Sequence, residues 1–441
     1  MRRAIRSVAI LAIITGLASP ALAADPQTIE WSKIPAKSLI LFYPGQSTYD
    51  WLLGPDHKGA RQIKQGRACL SCHEGDEKDL GNILVKAGRI EPTPIPGKNG
   101  VVDVAMQAAH DSEYLYFRFQ WKTNLNREGR MHDYMRFDGK QWKWYGHDRN
   151  DKAVRSGEQP PLYEDRFSIM LDDGKVPLFA QQGCWLTCHD GMRDTRNQVV
   201  GDPVKKHPIF GDAGLKESDI RKYLASTRTD PAASWDKTKS KEEIARIKSE
   251  GGFLDLMQWR VNRSGPIGMA DDGYVLEYRN FDDGKNPFSW NVDRKTMTPL
   301  YMFDAAKVGI KALHNPEDIG NPAKPGAIIK EENAIPFDPN AGWTEGDILP
   351  GRLVSRADAK GSAADNDAVY GTWKDGTYTL VWRRKLDTGN PADDKVMKVG
   401  GKYTVGFAIH DDNVTTRFHQ VSFPQTLGIG VDANIKAVTL K

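Results

Sequence analysis

The sequence predicts a mainly β protein: a β-sandwich preceded by a small irregular or helical N-terminal segment. Between residues 114 and 121, apolar residues occupy every second position, which is typical of a strand with one buried face. Turn signals such as Asp172-Asp173-Gly174 separate further segments of this kind. Many short strands between turns favour a β-sandwich. The first hundred residues, by contrast, show little periodic apolar pattern.

The predicted strands cover residues 102–108, 114–121, 166–171, 256–261, 275–278, 378–383, 403–409 and 417–423. Helix is predicted in two places. Ser218 is a candidate cap for a helix through Leu224, and residues 241–249 carry a helical charge pattern. Five prolines between residues 316 and 339 predict a long irregular region.

The N-terminus has the pattern of a secretory signal peptide. Three arginines within the first six residues are followed by an apolar run over residues 8–17 and by the cleavage signal Ala21-Leu22-Ala23. This run is shorter than the about 20 residues that a bilayer span requires. We therefore expect cleavage after Ala23, a periplasmic location and no transmembrane segment in the mature chain. A retained anchor is the alternative.

The charge balance argues against nucleic acid as a partner. Removing the signal peptide takes away three of the 61 basic residues and no acidic residue, which leaves 58 of each. The length suits one large domain with a small one, and 39% hydrophobic residues with 41 glycines indicate a globular, loop-rich chain. We expect a segment over residues 24–100 and a sandwich over residues 101–441.

The motif Cys69-Leu-Ser-Cys72-His73 indicates covalent haem c. In C-x-x-C-H, two cysteines form thioethers to the porphyrin and the histidine ligates the iron. A second motif, from Cys184 to Cys188 and His189, repeats the pattern with one extra residue between the cysteines. The two motifs use all four cysteines. They predict two covalent haems, with His73 and His189 as proximal iron ligands.

Other interpretations of these cysteines exist. All four could hold one structural zinc ion, although both adjacent histidines would then lack a purpose. At the longer motif, the alternatives are a disulfide between Cys184 and Cys188, or a noncovalent haem held by His189.

Histidines outside the motifs are candidates for the distal ligands. His57 lies shortly before the first motif, close enough to fold back over the same haem. His419 shares a predicted strand face with Val421 and Phe423, and an imidazole on an apolar face needs a partner such as iron. His110 and His410 precede aspartates at strand ends, which indicates turn chemistry.

The chain resembles the ethylbenzene dehydrogenase-related haem-binding domain family. The resemblance rests on residues 109–121, 164–170 and 407–427, and it extends over roughly residues 100–435. The family includes the gamma subunits of ethylbenzene and dimethylsulfide dehydrogenases, and it implies a β-sandwich that holds haem b between a methionine and a lysine.

This sequence departs from the gamma subunits at the ligands. His419 stands where the lysine is expected, and the motif from Cys184 to His189 occupies the region of the methionine. The resemblance therefore implies a covalent haem ligated by His189 and His419. Related multihaem members also have a histidine upstream of an N-terminal C-x-x-C-H, which makes His57 the preferred distal ligand of the first haem.

These observations predict a periplasmic dihaem c-type cytochrome that transfers single electrons between redox partners. The expected partners are an oxidoreductase, other cytochromes or a quinol-linked donor. The alternatives are a haem enzyme with one open, five-coordinate iron, or a haem module that binds or senses a small ligand. An enzyme is the less favoured class because the sequence has no Walker A, G-x-S-x-G or H-E-x-x-H motif.

Overall fold

The structure is a computed structural model that describes residues 23–124, 128–147, 151–321, 324 and 327–440. Strands predominate over helices, and most strands belong to one large sheet, so the prediction of a mainly β fold is confirmed. The predicted signal peptide lies outside the described residues except for Ala23. Among the described residues, no helix is both long and apolar enough to cross a membrane.

The strands, in chain order, are β1 Lys37–Phe42, β2 Val101–His110, β3 Tyr114–Lys122, β4 Tyr134–Phe137, β5 Trp142–Tyr145, β6 Arg166–Asp172, β7 Leu254–Arg260, β8 Gly273–Val275, β9 Arg279–Phe281, β10 Phe288–Trp290, β11 Val292–Asp293, β12 Thr298–Pro299, β13 Tyr301–Phe303, β14 Ile329–Lys330, β15 Ala334–Pro336, β16 Ile348–Pro350, β17 Arg352–Val354, β18 Ala368–Lys374, β19 Thr377–Lys385, β20 Lys402–His410, β21 Gln420–Val421, β22 Gln425–Ile429 and β23 Ile435–Thr439.

The α-helices of the described chain are all short: α1 Tyr49–Leu53, α2 Ala60–Lys64, α3 Leu70–His73, α4 Glu77–Leu84, α5 Lys152–Arg155, α6 Phe179–Gln182, α7 Asp202–Lys205, α8 Lys241–Ser249 and α9 Ala305–Val308. Helix α8 covers the residues that the charge pattern predicts. Ser240 caps it, because its hydroxyl accepts a hydrogen bond from the Glu243 amide while the Glu243 carboxylate accepts one from the Ser240 amide.

The main sheet runs in the order β18-β19-β3-β2-β1-β21-β20-β6-β7-β8-β9. Its β2–β3 hairpin turns at Asp111, whose side chain accepts hydrogen bonds from the amides of Glu113 and Tyr114. Strands β22 and β23 join β20 to β2 by a second route. Small sheets formed by β4, β5 and β10–β17 pack around a separate apolar cluster.

The main sheet folds back so that two of its parts face each other. The rings of Phe119 on β3 and Phe167 on β6 are 4.3 Å apart, although four strands lie between β3 and β6 in the sheet order. Trp121 packs on Phe167, and Phe407 of β20 packs on Phe119. These side chains form the largest apolar cluster, which fills the space between the two layers.

The N-terminal segment is tied into this sheet. Strand β1 pairs with β2 along its whole length and meets β21 at Phe42 and Val421. Helices α1 to α4 then follow, and they carry the first cysteine motif. The sequence did not predict β1. The division of the chain at residue 100 stays a prediction, although β1 belongs to the main sheet.

Three predicted elements are wrong. Only Val275 of the predicted strand over residues 275–278 lies in a strand, because the chain turns between β8 and β9 at residues 276–278. Residues 218–224 form no helix, because this stretch runs extended and the Leu224 amide donates to the carbonyl of Leu276 at 2.7 Å. Of the predicted strand over residues 417–423, only β21 forms. The chain before it turns tightly, with positive φ angles at Asp412, Asn413 and Thr416, so His419 lies on a bend.

We expect Phe119→Ala to destabilise the fold by about 3–5 kcal/mol, because it opens a cavity between the two layers. Guanidinium unfolding followed by far-ultraviolet circular dichroism measures this. The matched control is Phe281→Ala, since Phe281 is 48% exposed and its truncation should change stability by no more than about 0.5 kcal/mol. Equal effects of the two substitutions would contradict this packing.

Candidate haem-binding sites

The first motif lies on a short helix in the N-terminal segment. Cys69 is the N-cap of α3, and its backbone N–H donates to the carbonyl of Gln181 at 3.0 Å. The Cys69 side chain is buried, which raises the pKa of its thiol to about 11, whereas Cys72 is exposed. One cysteine therefore faces the apolar interior and the other faces solvent.

His57 and His73 face each other at this motif. Their ring centroids are 6.4 Å apart, and the planes differ by 28°. Two metal–nitrogen bonds of about 2 Å each, together with the half-widths of the two rings, span about this distance. An iron ion between the rings therefore fits the separation that the structure shows.

Hydrogen bonds orient both imidazoles for this role. The Nδ1 atom of His57 is 3.1 Å from the carbonyl oxygen of Leu52, and Nδ1 of His73 is 3.3 Å from Oδ2 of Asp76. Within the described residues, these contacts leave the two Nε2 atoms for a metal. A ligand histidine is commonly fixed in this way through its other nitrogen. Burial lowers the pKa of His57, which favours the neutral, ligating form.

The second motif begins in a 3₁₀ turn over Gly183–Thr187. Cys184 is buried, and burial raises the pKa of its thiol to about 11. Cys188 is partly exposed, and its Sγ accepts a hydrogen bond from Nζ of Lys222 at 3.1 Å. The two thiols are free, with no disulfide between them.

A large cavity of about 1120 Å³ opens beside this motif. It exceeds the about 300–1,000 Å³ that small-molecule pockets usually offer. Its sheet wall consists of alternate residues of three adjacent strands, namely Ser168 and Met170 of β6, Leu256 and Gln258 of β7, and Gly406, Ala408 and His410 of β20. The intervening residues of the same strands point into the core of the sandwich. The cavity therefore lies on the outer face of the sheet, beneath the loop that carries Cys184.

Small side chains keep this wall open. A Cβ atom at Gly406 would lie only 2.8 Å from Sγ of Cys184. Because Gly406 has no side chain, the wall is flat next to Cys184, where a group bonded to this cysteine would lie. A planar macrocycle fits such a surface better than a compact ligand does.

His419 and His410 meet at one end of the cavity. Their rings stack at 4.6 Å, and both contact the carbonyl oxygen of Thr416, His419 through Nδ1 and His410 through Nε2. Burial lowers the pKa of each well below its usual value, helped by the positive charge of Lys222 near His419 and of Arg166 near His410. Both imidazoles are therefore neutral. The His419 arrangement leaves Nε2 for a metal, as at His57.

The structure does not bring His189 to His419. His189 is fully buried, but it is not among the residues that line the cavity. Its ring stacks on Tyr223 at 4.1 Å, and its Nε2 is 3.2 Å from the carbonyl oxygen of Leu186. Nδ1 has no hydrogen-bond partner among the described residues and is 3.9 Å from Oδ1 of Asp50. The role of His189 as an iron ligand stays a prediction.

Arginines give the far part of the cavity a positive potential. Arg260, Arg263 and Arg352 are each paired with a buried carboxylate. Arg166 is only 6% exposed, and its Nε and Nη2 have no hydrogen-bond partner in the described structure. Burial raises the pKa of Tyr163, but Arg166 and the neighbouring arginines outweigh it and lower that pKa to about 6. Haem propionates are carboxylates, and Arg166 offers them the donors they need.

The two motifs are in contact. Cys69 and Cys184 belong to the same apolar cluster, together with Phe42, Tyr49 and Trp185. The four cysteines do not form a metal-ligand cluster: in the described part of the chain, the groups of three or more candidate ligands within 4.8 Å consist of aspartates. This geometry gives no support to the zinc alternative.

Two residues that line the cavity are not predicted as site residues by the sequence. His410 was assigned to turn chemistry, yet it lines the cavity and stacks on His419. For Arg166, the sequence indicates no binding role and only a place at the start of a predicted strand. In that strand Arg166, Ser168 and Met170 alternate with Phe167 and Ile169, so the period-2 pattern would have assigned Arg166 to the face opposite the core.

Comparison with known proteins places the chain in a family. The family model for ethylbenzene dehydrogenase matches residues 27–422, and the chain belongs to this family. Cytochrome c-552 of Stutzerimonas stutzeri is 26% identical over 441 residues, which cover 99% of each chain. Cytochrome c-551 of Rhodocyclus tenuis is 31% identical over 243 residues, which cover 55% of this chain and 85% of that protein.

We expect Gly406→Val to prevent haem attachment at the second motif, because the new side chain would collide with Cys184. The pyridine haemochrome assay on purified protein should then give one haem per chain instead of two. Ala105→Val, on the exposed outer side of β2, is the control and should retain both haems. Two haems per chain in Gly406→Val would rule out this position for the second haem.

Proposed function

We propose that this protein is a periplasmic dihaem c-type cytochrome that transfers single electrons between redox partners. The observation that carries the proposal is the pair His57 and His73, which face each other at iron-bridging distance beside the first C-x-x-C-H motif. The names of the two relatives, cytochromes c-552 and c-551, support the same class. The signal-like N-terminus supports export, which c-type haem attachment requires.

At the first site, Cys69 and Cys72 would hold the haem covalently, with His73 and His57 as the two iron ligands. Leu52 and Asp76 fix the orientation of the two rings through hydrogen bonds. With both axial positions taken by protein, no position is left for a substrate.

At the second site, Cys184 and Cys188 would hold the haem over the wall formed by Gly406 and Ala408. His419 is the proposed distal ligand, and Arg166 would bind a propionate. His189 is the proposed proximal ligand; it packs beside the cavity, between Tyr49 and Tyr223, and would have to turn its ring toward the iron.

The protein's own residues set the conditions for electron transfer. Bound haem iron supplies one-electron redox chemistry. The apolar cluster around Cys69 and Cys184 excludes water from the space between the two motifs. Low polarity between the motifs lowers the reorganisation energy of electron transfer, because few dipoles there have to reorient when the charge changes.

An exposed basic stretch, called the basic rim below, precedes the first motif in the chain. Arg61, Lys64 and Arg67 are exposed and flank the motif that carries Cys72. Such a rim would guide an acidic patch of a partner toward this haem edge and raise the association rate. An oxidoreductase, another cytochrome or a quinol-linked donor with an acidic docking surface is the expected partner.

The size of the second cavity favours one alternative function, a haem enzyme or ligand-binding module with an open iron. At about 1120 Å³, with the unpartnered guanidinium of Arg166 in its wall, the cavity offers room for a small anionic ligand beside a haem. Carbon monoxide separates the two functions, since it binds ferrous haem only where an axial position is free.

We expect the reduced unmodified protein to contain two covalent haems and to show no spectral change with carbon monoxide. His57→Ala should bind carbon monoxide at one haem, because it removes one of the two facing imidazoles. His314→Ala is the control: this side chain is 74% exposed and should leave the spectrum unchanged. Carbon monoxide binding by the unmodified protein would favour the enzyme or ligand-binding function instead.

Substitution of the stacked histidines should identify the ligand of the second iron. We expect His419→Ala to create a carbon monoxide-binding haem and His410→Ala to leave both irons six-coordinate. The free nitrogen of His419 is Nε2, the atom farther from the backbone, whereas the free nitrogen of His410 is Nδ1. Optical spectra of the two reduced variants provide the measurement. The opposite pattern would assign the iron to His410.

A further inference from the structure

A cluster of buried carboxylates outside the cavity lining lies at the far edge of the main sheet. Asp255 is on β7, Asp272 precedes β8, and Asp282 follows β9. Asp393 and Asp394 come from the loop between β19 and β20. Ligand oxygens of Asp282, Asp393 and Asp394 lie within 4.8 Å of one another, and so do those of Asp255, Asp272 and Asp394.

The positive charge near this cluster is too small to neutralise its five carboxylates. Arg384 donates to Asp255 at 2.6 Å and is 3.8 Å from Asp394. Lys395 is also close, but its Nζ contacts Asp173, Asp172 and the carbonyl of Gly251. Arg279 also attracts Asp282, but it is paired with Asp271. Five carboxylates, each at most 5% exposed, therefore share Arg384 and two cations that also pair with other aspartates.

Several carboxylate oxygens in the cluster have no partner. Asp282 is 5% exposed, and neither of its side-chain oxygens has a hydrogen-bond partner among the described residues. Oδ1 of Asp255 and Oδ1 of Asp394 are likewise buried without one. The second oxygens of these two residues are held, by Arg384 and by Thr388, so the free oxygens are fixed in place. A buried carboxylate without a partner is strongly unfavourable.

Protonation alone is a poor remedy for these contacts. Burial, followed by repulsion from the neighbouring aspartates, raises the pKa of Asp282 to about 10 and that of Asp394 to about 8. A protonated carboxyl group could donate to one neighbouring oxygen, but the unpartnered oxygens of Asp255, Asp282 and Asp394 number four among the described residues. A cation bound among the oxygens satisfies them all at once.

We propose that Asp282, Asp393 and Asp394, with Asp255 and Asp272 beside them, bind a calcium ion. Calcium takes six to eight oxygen ligands at about 2.3–2.6 Å, so oxygens that share one ion lie at most about 5 Å apart, as they do here. Magnesium usually keeps several water molecules. The near-complete burial of all five aspartates favours calcium, which accepts a shell made largely of protein oxygens.

The ion would fasten the loop before β20 to the sheet edge formed by β7, β8 and β9. Without it, Asp393 is anchored by the Asp283 amide and the Ser362 hydroxyl, and Asp394 by Thr388. Strand β20 carries Gly406, Ala408 and His410 of the haem cavity. The ion thereby supports the second haem site from a distance, although its binding does not depend on the haem function.

The test is a comparison of metal content and thermal stability in the haem-loaded, full-length exported protein. After dialysis against a calcium chelator, added calcium should bind at one ion per chain and raise the melting temperature by roughly 5 °C. Calorimetric titration measures the affinity. Asp282→Asn should weaken calcium binding at least tenfold and abolish the temperature shift. Asp283→Asn, which changes an exposed neighbouring carboxylate, should behave as the unmodified protein does.

In chelator, Asp282→Asn should melt at a temperature no lower than that of the unmodified protein, because an uncharged amide relieves repulsion within the cluster. This measurement serves as the control that the variant folds. Unmodified protein that binds no calcium and shows no shift would overturn the proposal. An Asp282→Asn variant that responds to calcium like the unmodified protein would do the same. Magnesium at equal concentration should give a smaller shift, and an equal or larger one would overturn the assignment to calcium.

Discussion

Tyr49 donates its backbone N–H to the carbonyl oxygen of Cys188 at 2.5 Å, and this hydrogen bond ties the segment of the first motif to the loop of the second. Further hydrogen bonds cross the same boundary, among them those from Cys69 to Gln181, from Gln182 to Ile63 and from Trp185 to Ser47. Helices of four or five residues, such as α1 to α3, are too short to be stable alone. Their positions, and with them the facing rings of His57 and His73, depend on this contact with the sheet domain.

The outer strands of the sheet serve three purposes because side chains alternate along them. On β7, Met257 and Trp259 fill the core between the layers, while Leu256 and Gln258 face the haem cavity. Asp255, at the start of the same strand, belongs to the acidic cluster. The positive wall near Arg166 and the negative cluster near Asp282 are therefore built on neighbouring positions of one sheet. A one-residue slip in register would destroy both sites together.

Local patterns in the sequence predicted the elements that local forces determine. Alternating apolar residues identified β3 and β19, and the charge pattern of residues 241–249 matched α8. The buried face of a strand and the cap of a helix both depend on residues that are close together in the sequence. The bend at His419 was missed, since it follows from positive φ angles at Asp412, Asn413 and Thr416 rather than from hydropathy. The motif cysteines could be recognised from spacing. The stacking of His410 on His419 could not, because it depends on how β20 meets a tight turn.

The contrast between the two sites favours electron transfer over catalysis at the first haem. In the proposed arrangement His57 and His73 would leave no axial position there, and the exposed Cys72 with its basic rim would bring the haem edge to the surface, where a protein partner can approach. The second site is deeper, with a cavity of about 1120 Å³ beside the buried Cys184. Because the two motifs share one apolar cluster, an electron that entered at the proposed first haem would have a short route through apolar side chains to the second. On this proposal the surface haem would exchange electrons with the partner, and any chemistry beyond electron transfer would be confined to the buried haem.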